Sequence, residues 1–146
     1  MSSPGDTLTI SQQPVRPLPE SVADTDVLYV EDDDDLRDAV VELVTVVLER
    51  RCVGVGSYEE LVALGGEALG CGVAILDISL GPNRKSGIDA YAWLRHHGYV
   101  GRIVFLTGHA NMHPLVVEAH RVGDAEIFTK PIEPDRIRSI VEGQRR

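Results

Sequence analysis

The chain has 146 residues, with 23 Asp and Glu against 14 Lys and Arg, which gives a net charge of −9. This length is typical of one domain, and the acidic balance disfavours nucleic acid and anionic membrane surfaces as partners. Hydrophobic residues make up 43% of the chain, which is enough to bury a core. The composition therefore predicts one globular domain that binds neither nucleic acid nor membrane.

Nothing in the sequence indicates export or membrane insertion. No apolar run approaches the roughly 18 residues of a membrane-spanning helix, and residues 1–25 lack the basic start and apolar stretch of a signal peptide. The two cysteines, Cys52 and Cys71, are too few for a disulfide framework, and we interpret both as small buried hydrophobic residues. A cytoplasmic location is therefore predicted.

Two regions of the chain differ in composition. Residues 1–25 are rich in Ser, Pro, Gln and Thr, with prolines too closely spaced for a helix or a central strand, so we predict a flexible N-terminal arm. Residues 26–146 alternate short apolar runs with stretches of helical periodicity, which indicates five βα units around a parallel sheet. The expected fold class is α/β, with one domain over residues 26–146.

The predicted elements alternate regularly along the chain. Strands are expected at 27–30, 52–55, 73–76, 103–106 and about 126–129. Apolar residues at spacings of three and four predict the first helix, namely Leu36, Val40, Leu43, Val44, Val47 and Leu48. The second helix is expected to begin after Ser57, with Glu60 completing a capping box, and to end near Gly65. Later helices are expected at about 88–97, at about 112–121 and over a last stretch with Ile137, Ile140 and Val141 on one face.

Polar residues stand at the ends of four of the five predicted strands. Glu31 and Asp32 follow the first strand, Asp77 the third, Thr107 the fourth and Lys130 the fifth. In open parallel sheets, ligands bind beyond the carboxyl ends of the strands, near the point where the strand order reverses. We therefore expect three carboxylates, one hydroxyl and one of the chain's two lysines to converge at that edge.

The motifs at these strand ends are similar to those of a known family. They are VLYVEDD at 27–33, AILDI at 74–78, LTG at 106–108 and TKP at 129–131. They stand in the order, and near the spacing, of the receiver domain of two-component response regulators. Over about residues 26–145, the chain resembles this family, and in particular its stand-alone members that are similar to the chemotaxis regulator.

The resemblance carries definite implications for fold and site. It implies a (βα)5, flavodoxin-like fold with strand order 2-1-3-4-5 and a phosphoacceptor at Asp77. It also implies metal binding by the carboxylates of Glu31 and Asp32. In the family the backbone carbonyl two residues beyond the acceptor, here that of Ser79, is usually the remaining protein ligand of the metal.

The residue types suit phosphoryl transfer to a carboxylate. Asp77 can act as the nucleophile only if a cation offsets the repulsion between two anions. Mg²⁺ prefers oxygen ligands, which Glu31, Asp32 and Asp77 offer, whereas Zn²⁺ would favour His or Cys. Lys130 would neutralise charge on the phosphoryl group and Thr107 would donate a hydrogen bond to it. We therefore expect a protein that is not a classical enzyme but catalyses its own Mg²⁺-dependent aspartyl phosphorylation and dephosphorylation.

Simpler interpretations exist for single residues. The acidic run 33–35 suits a solvated helix start, because acidic side chains stabilise the N-terminus of a helix. Asp77 could cap a helix, although a Gly-Pro loop follows it. His109 and His113 could share a helix face as metal ligands, but the glutamate of a zinc-protease motif is absent and Pro114 follows directly.

Two other functions are open alternatives. A pseudo-receiver would use the same fold as a constitutive protein-binding module without phosphorylation, and the presence of all five site residues disfavours it. A phosphatase acting through an aspartyl phosphate would normally carry an Asp-x-Asp motif after the first strand. The sequence has Glu31-Asp32-Asp33 there instead.

Two departures from the family pattern stand out. The family typically has a Gly eight residues after the acceptor, whereas Gly87 comes ten after Asp77, so the loop at 80–87 is two residues longer. We hypothesise that this loop alters docking of the kinase, and that shortening it changes phosphotransfer. Ile127 stands where the family often has the aromatic residue that rotates on activation, and Phe128 should point to the opposite face of the sheet.

The expected partners follow from the resemblance. A sensor histidine kinase or a histidine phosphotransfer protein would supply the phosphoryl group. An unknown downstream protein would contact the helix at about 112–121, the fifth strand and the last helix. A homodimer is a further open alternative. Only 15 residues follow Pro131, from which we predict a stand-alone regulator.

Overall fold

The described residues of the chain form one parallel sheet. The computed structural model describes residues 26–109 and 112–143. Its strands are β1 (Val27–Val30), β2 (Cys52–Val55), β3 (Val73–Asp77), β4 (Arg102–Thr107) and β5 (Ala125–Thr129), ordered β2-β1-β3-β4-β5 with every neighbouring pair parallel. The predicted α/β fold and strand order are confirmed. The predicted arm at residues 1–25 lies outside the described residues.

Helices follow the strands and cover both faces of the sheet. They are α1 (Asp34–Glu42), continued by a π-helical turn (Leu43–Val47), α2 (Tyr58–Leu64), α3 (Gly66–Leu69), α4 (Gly87–His96), α5 (Pro114–Val122) and α6 (Pro134–Glu142). The short helix α3 was not predicted, and Gly65 separates it from α2 with a φ of 57°. Across residues 26–109 and 112–143, no helix is both long and apolar enough to cross a bilayer.

Alternate strand residues face two apolar cores, one on each side of the sheet. Leu28 and Val30 of β1 pack into the core beneath α2, α4 and α5, whereas Val27 and Tyr29 pack into the core beneath α1 and α6. Strands β1 and β3 are buried along their whole length. Burial on both faces is characteristic of central parallel strands, which places the carboxyl ends of β1 and β3 at the middle of the sheet edge.

The prediction that Val47 faces the core is wrong. The helix widens into a π-helical turn over Leu43–Val47, where the N–H of Leu48 donates to the carbonyl of Leu43 at 3.1 Å. Because a π-turn holds an extra residue, it changes the angular position of the residues within it. Val44 and Leu48 are therefore buried, whereas Val47 is 56% exposed.

Neither cysteine forms a disulfide, and the two differ in burial. Cys71 is buried as predicted, but Cys52 on the edge strand β2 is only half-buried. Burial of its thiol nevertheless raises the pKa of Cys52 to about 12. The Cys52 thiol is therefore protonated at neutral pH, which suits a packing role.

Candidate active site

The carboxyl ends of the strands bring the predicted site residues to one edge of the sheet. Backbone hydrogen bonds hold the segments just beyond the strands in register. The N–H of Ile78 donates to the carbonyl of Leu106 at 2.8 Å, and the N–H of Lys130 donates to that of Thr107 at 2.8 Å. The ladder of the sheet thus continues past β3 and β5 and orients the side chains that follow them.

Lys130 connects two of the predicted carboxylates. Its Nζ lies 2.9 Å from Oε1 of Glu31 and 3.1 Å from Oδ2 of Asp77. These carboxylate side chains are only 1% and 6% exposed. One cation between two buried carboxylates leaves a net negative charge that water does not screen well. The site therefore favours binding of a further cation.

A third carboxylate joins this pair. Glu31, Asp32 and Asp77 each offer an oxygen, and the three oxygens lie within 4.8 Å of one another. Glu31 and Asp77 are buried, and Asp32 is exposed. A donor set made only of oxygen atoms suits a hard cation such as Mg²⁺, and an exposed side leaves room for its water ligands.

The electrostatics of the pocket act directly on Asp77. Burial, and after it the charge of Glu31, raises the pKa of Asp77 from 3.8 to about 7, although Lys130 acts in the opposite direction. Burial acts to lower the pKa of the Lys130 ammonium, but its bonds to Glu31 and Asp77 outweigh this and the pKa is raised. Without a bound cation, the charged form of Asp77 is thus disfavoured by its surroundings while Lys130 stays charged.

This unfavourable environment predicts that Asp77→Asn stabilises the metal-free domain in a pH-dependent way. A carboxyl whose pKa is higher in the folded than in the unfolded state binds more protons when folded, so stability falls as pH rises from 3.8 to about 7. Each pKa unit corresponds to about 1.4 kcal/mol. The rise from 3.8 to about 7 corresponds to about 4 kcal/mol at most, and Asp77→Asn also loses the ion pair with Lys130. We therefore expect Asp77→Asn to raise the free energy of unfolding by about 2 kcal/mol at pH 8, and by less at pH 5.

Chemical denaturation in the presence of a chelator measures this effect. Asp38→Asn, an exposed position on α1, is the control for loss of one negative charge. An equal change in the free energy of unfolding for both variants would contradict the raised pKa of Asp77 as the cause. A gain in stability from Asp77→Asn that does not grow with pH would contradict it as well.

Most of the acidic run 33–35 has the structural role expected of a solvated helix start. Oδ1 of Asp33 accepts from the N–H of Leu36 at 3.1 Å and caps α1. Asp34 pairs with Arg37 at 2.6 Å, and Asp35 is exposed in the first helical turn. Only the first two acidic residues after β1, Glu31 and Asp32, lie in the carboxylate cluster.

Thr107 and Ser79 occupy the same edge of the sheet. Thr107 is buried at the end of β4, and its Oγ1 accepts from the N–H of His109 at 2.9 Å, which uses an oxygen lone pair and leaves the hydroxyl proton for another acceptor. Ser79 is half-buried directly before the loop 80–87. It lines a cleft of about 420 Å³ between that loop and the residues around His109 and His113.

Gly87 brings the loop that follows β3 back against the end of that strand. Its N–H donates to the carbonyl of Ile78 at 2.7 Å. A Cβ atom at Gly87 would overlap the carbonyl oxygen of Asp77 and would lie 2.9 Å from the Asp77 carbonyl carbon. Helix α4 therefore begins in direct contact with the backbone of Asp77.

The site contains a hydroxyl that sequence reasoning missed. Tyr29 is fully buried in β1, and its hydroxyl donates to Oε1 of Glu31 at 3.1 Å. Burial and the adjacent Glu31 raise the pKa of Tyr29, so it remains a donor. The available signal was the spacing of two, which places residues 29 and 31 on the same side of a strand.

The two histidines after β4 form a local structure. The rings of His109 and His113 stack with centroids 4.0 Å apart, and Nδ1 of His113 accepts from the N–H of Leu115 to cap α5. Among the described residues, the cluster suited to a metal consists of carboxylates and includes neither histidine. His113 therefore serves as a helix cap.

The fifth strand separates Ile127 from Phe128 as predicted. Ile127 packs against the core beneath α4 and α5, and Phe128 packs against the opposite core, with the guanidinium of Arg136 4.9 Å from its ring centroid. Phe128 therefore cannot take the place of an aromatic side chain at position 127.

Comparison with known proteins identifies the family of this site. Residues 27–142 match the family model of the response regulator receiver domain. The transcriptional regulatory protein FixJ of Bradyrhizobium diazoefficiens is 31% identical over 120 residues, which are 79% of this chain and 54% of FixJ. The chain thus spans about half the length of this relative.

Solved structures show the same architecture. The receiver domain of NtrX from Brucella abortus superposes with a TM-score of 0.67 at 26% identity, covering 81% of this chain and 96% of that one. A response regulator from Burkholderia pseudomallei, with a phosphorylated aspartic acid, a calcium ion and citrate, has a TM-score of 0.68 at 22% identity, over 81% and 66% of the two chains. With the family match over 27–142, these findings show that the chain belongs to the response regulator receiver domains of two-component signal transduction.

Proposed function

We propose that this receiver domain accepts a phosphoryl group on Asp77 from a sensor histidine kinase or a histidine phosphotransfer protein. The observation that carries the proposal is the contact of Lys130 with Glu31 and Asp77 inside a cluster of three carboxylates. Such a cluster costs stability, and a phosphorylation site gives a reason for it. The phosphorylated aspartic acid and calcium ion of the Burkholderia structure support the same chemistry here.

The residues of the chain have separate roles in the transfer. An oxygen of the Asp77 carboxylate attacks phosphorus, an O–P bond forms, and the bond between phosphorus and the donor's histidine nitrogen breaks, so that the imidazole leaves with the electron pair. Lys130, already 3.1 Å from Asp77, offsets negative charge on the phosphoryl oxygens. The Thr107 hydroxyl donates a hydrogen bond to one of these oxygens.

The metal in this proposal is Mg²⁺. Glu31, Asp32 and Asp77 would hold it through carboxylate oxygens, with the backbone carbonyl of Ser79 as a further ligand. When bound, Mg²⁺ supplies positive charge that offsets the repulsion between the carboxylate and the incoming phosphoryl group.

Phosphorylation would change the protein surface next to β4 and β5. The new phosphoryl group gives Lys130 and Thr107 a partner that differs from those in the unphosphorylated domain. Thr107 ends β4 and Lys130 directly follows β5, and these strands lead into α5 and α6. A groove of about 640 Å³ along α5 includes Met112, 84% exposed, and Val117. We propose this side of the domain as the contact surface for a downstream protein.

The test is phosphorylation by a small donor. Incubation with acetyl phosphate and Mg²⁺ should add one phosphoryl group to the wild-type chain, as seen by intact-mass spectrometry, and Asp77→Asn should abolish the addition. Asp135→Asn, which alters an exposed aspartate in the first turn of α6, should be phosphorylated as in the wild type. Phosphorylation of Asp77→Asn to the wild-type extent would assign the acceptor elsewhere.

A chain that no donor phosphorylates would instead be a constitutive binding module. A parallel assay with a radiolabelled phosphorylated histidine kinase tests the proposed protein donor. The prediction that the domain acts alone stays a prediction, since FixJ extends well beyond the matched segment.

A further inference from the structure

The side chain of Arg37 lies next to the predicted metal site, between the loop after β1 and the end of the edge strand β2. Its Nη1 donates to the backbone carbonyl of Glu31 at 2.7 Å, and its Nη2 pairs with Asp34 at 2.6 Å. Arg37 therefore holds both ends of the β1–α1 loop that contains Asp32. It belongs to α1 and is not itself one of the proposed metal ligands.

The contact with Glu31 acts on a residue that is also held from other directions. The Glu31 N–H donates to the carbonyl of Val55 at 2.9 Å, which ties the residue to β2. Its carboxylate accepts from Lys130 and from Tyr29 through Oε1, and from the N–H of Asp33 through Oε2 at 3.1 Å. The remaining polar group of Glu31 is its backbone carbonyl, and Arg37 binds it.

Glycines stand within and directly after the neighbouring strand β2, where Arg37 passes over it. A Cβ atom at Gly56 would lie 2.8 Å from Nη1 of Arg37, and one at Gly54 would lie 3.3 Å from its Cγ. The φ angle of Gly56 is not positive, so its backbone conformation is one that alanine can adopt. Glycine is therefore required at position 56 because the guanidinium of Arg37 occupies the space that a Cβ atom would take.

From this geometry we infer that Arg37 is a positioning residue that sets the affinity of the acidic site for Mg²⁺. The inference rests on the proposed function, because it concerns the same site. By bonding the Glu31 carbonyl through the space left by Gly56, Arg37 fixes the loop so that the oxygens of Glu31 and Asp32 stay near that of Asp77. Partners of metal ligands typically change metal affinity by about 10- to 100-fold when removed.

Loss of the Arg37 charge and loss of its contact with Glu31 are expected to change the Mg²⁺ affinity in opposite directions. Arg37→Met removes a positive charge near the site, which by itself would strengthen binding of a cation. Loss of the contact between Arg37 and the Glu31 carbonyl should instead weaken Mg²⁺ binding. Gly56→Ala keeps the charge and displaces only the flexible end of Arg37, so it should weaken Mg²⁺ binding in the same way.

The experiment is a calorimetric Mg²⁺ titration of the full chain. We expect roughly tenfold weaker binding for Arg37→Met and for Gly56→Ala, and no further loss in the double variant, since both remove one contact. Arg138→Met, a half-exposed arginine on α6, is the control for charge and should bind as the wild type does. For Arg37→Met and Gly56→Ala, phosphorylation by acetyl phosphate should be slower than in the wild type at low Mg²⁺. At saturating Mg²⁺ the rates of both variants should approach the wild-type rate.

Two outcomes are separable. If the wild type and Glu31→Gln bind Mg²⁺ equally poorly, the proposed metal site is wrong. If Glu31→Gln loses binding while Arg37→Met and Gly56→Ala bind as tightly as the wild type, or more tightly, the role of Arg37 is overturned and the metal site stands. A rate deficit that persists at saturating Mg²⁺ also contradicts a role in affinity.

Discussion

Replacing Lys130 by Met should destabilise the metal-free domain by about 3 to 5 kcal/mol at pH 8, because it leaves two buried carboxylates without their cation. The Lys130 ammonium contacts Glu31 at 2.9 Å and Asp77 at 3.1 Å, and both carboxylates are almost fully buried. The pKa of Asp77 is already about 7 with Lys130 present, and the loss of Lys130 raises it further. At pH 5 Asp77 is then protonated in the folded state, so the destabilisation should be much smaller.

Denaturant unfolding at the two pH values measures this prediction. Lys85→Met is a matched control, because Lys85 is the other lysine of the chain and lies exposed over the ring of Tyr58 at 5.4 Å. The double variant of Lys130→Met with Asp77→Asn should recover much of the lost stability. Equal stability of the two Lys→Met variants at pH 8 would show that Lys130 does not neutralise the pocket.

The same substitution should slow phosphorylation. Removal of one preorganised group that stabilises transition-state charge typically costs about 10²- to 10³-fold in rate. We expect a loss of this order for Lys130→Met with acetyl phosphate at saturating Mg²⁺, and wild-type rates for Lys85→Met.

Gly87→Ala should be the most damaging substitution of a glycine near the site. The added methyl group would overlap the carbonyl oxygen of Asp77 and approach Cα of Ile78 to 3.0 Å, and backbone atoms of a buried strand cannot move aside easily. We expect a loss of about 3 kcal/mol in the free energy of unfolding, in the range of severe overpacking. Displacement of Asp77 should also slow phosphorylation by roughly 100-fold, since a misplacement near 1 Å has effects of that size.

Gly66→Ala provides the comparison. Gly66 begins α3, and a Cβ atom added there would meet nothing within 4 Å, so alanine should be neutral or slightly stabilising. Thermal unfolding together with the acetyl phosphate assay reports both effects. A Gly87→Ala chain that is as stable and as rapidly phosphorylated as Gly66→Ala would mean that α4 can shift away from β3 at little cost.

Local patterns were sufficient to predict most elements and which polar residues meet at the carboxyl edge of the sheet. Each strand was indicated by a short apolar run, and the residues that end those runs, such as Asp77 and Lys130, lie at one edge because all the strands are parallel. The π-helical turn was not predictable in this way. Its cause is a change of one residue in the hydrogen-bond pattern, which leaves the apolar spacing of Val44 and Val47 looking like that of an ordinary helix.

The sequence by itself determined the α/β architecture, the strand order implied by the family resemblance, and the residue types available at the site. Only the tertiary structure decided which groups touch: Tyr29 with Glu31, Arg37 with the Glu31 carbonyl, and Gly87 with the backbone of Asp77. The physical reason is that sequence patterns report local structure, whereas these contacts depend on the positions that the groups take in the folded chain. A run of apolar residues reports its own local structure, whereas a hydrogen bond or a steric limit depends on the distance between segments that the chain brings together only when it folds.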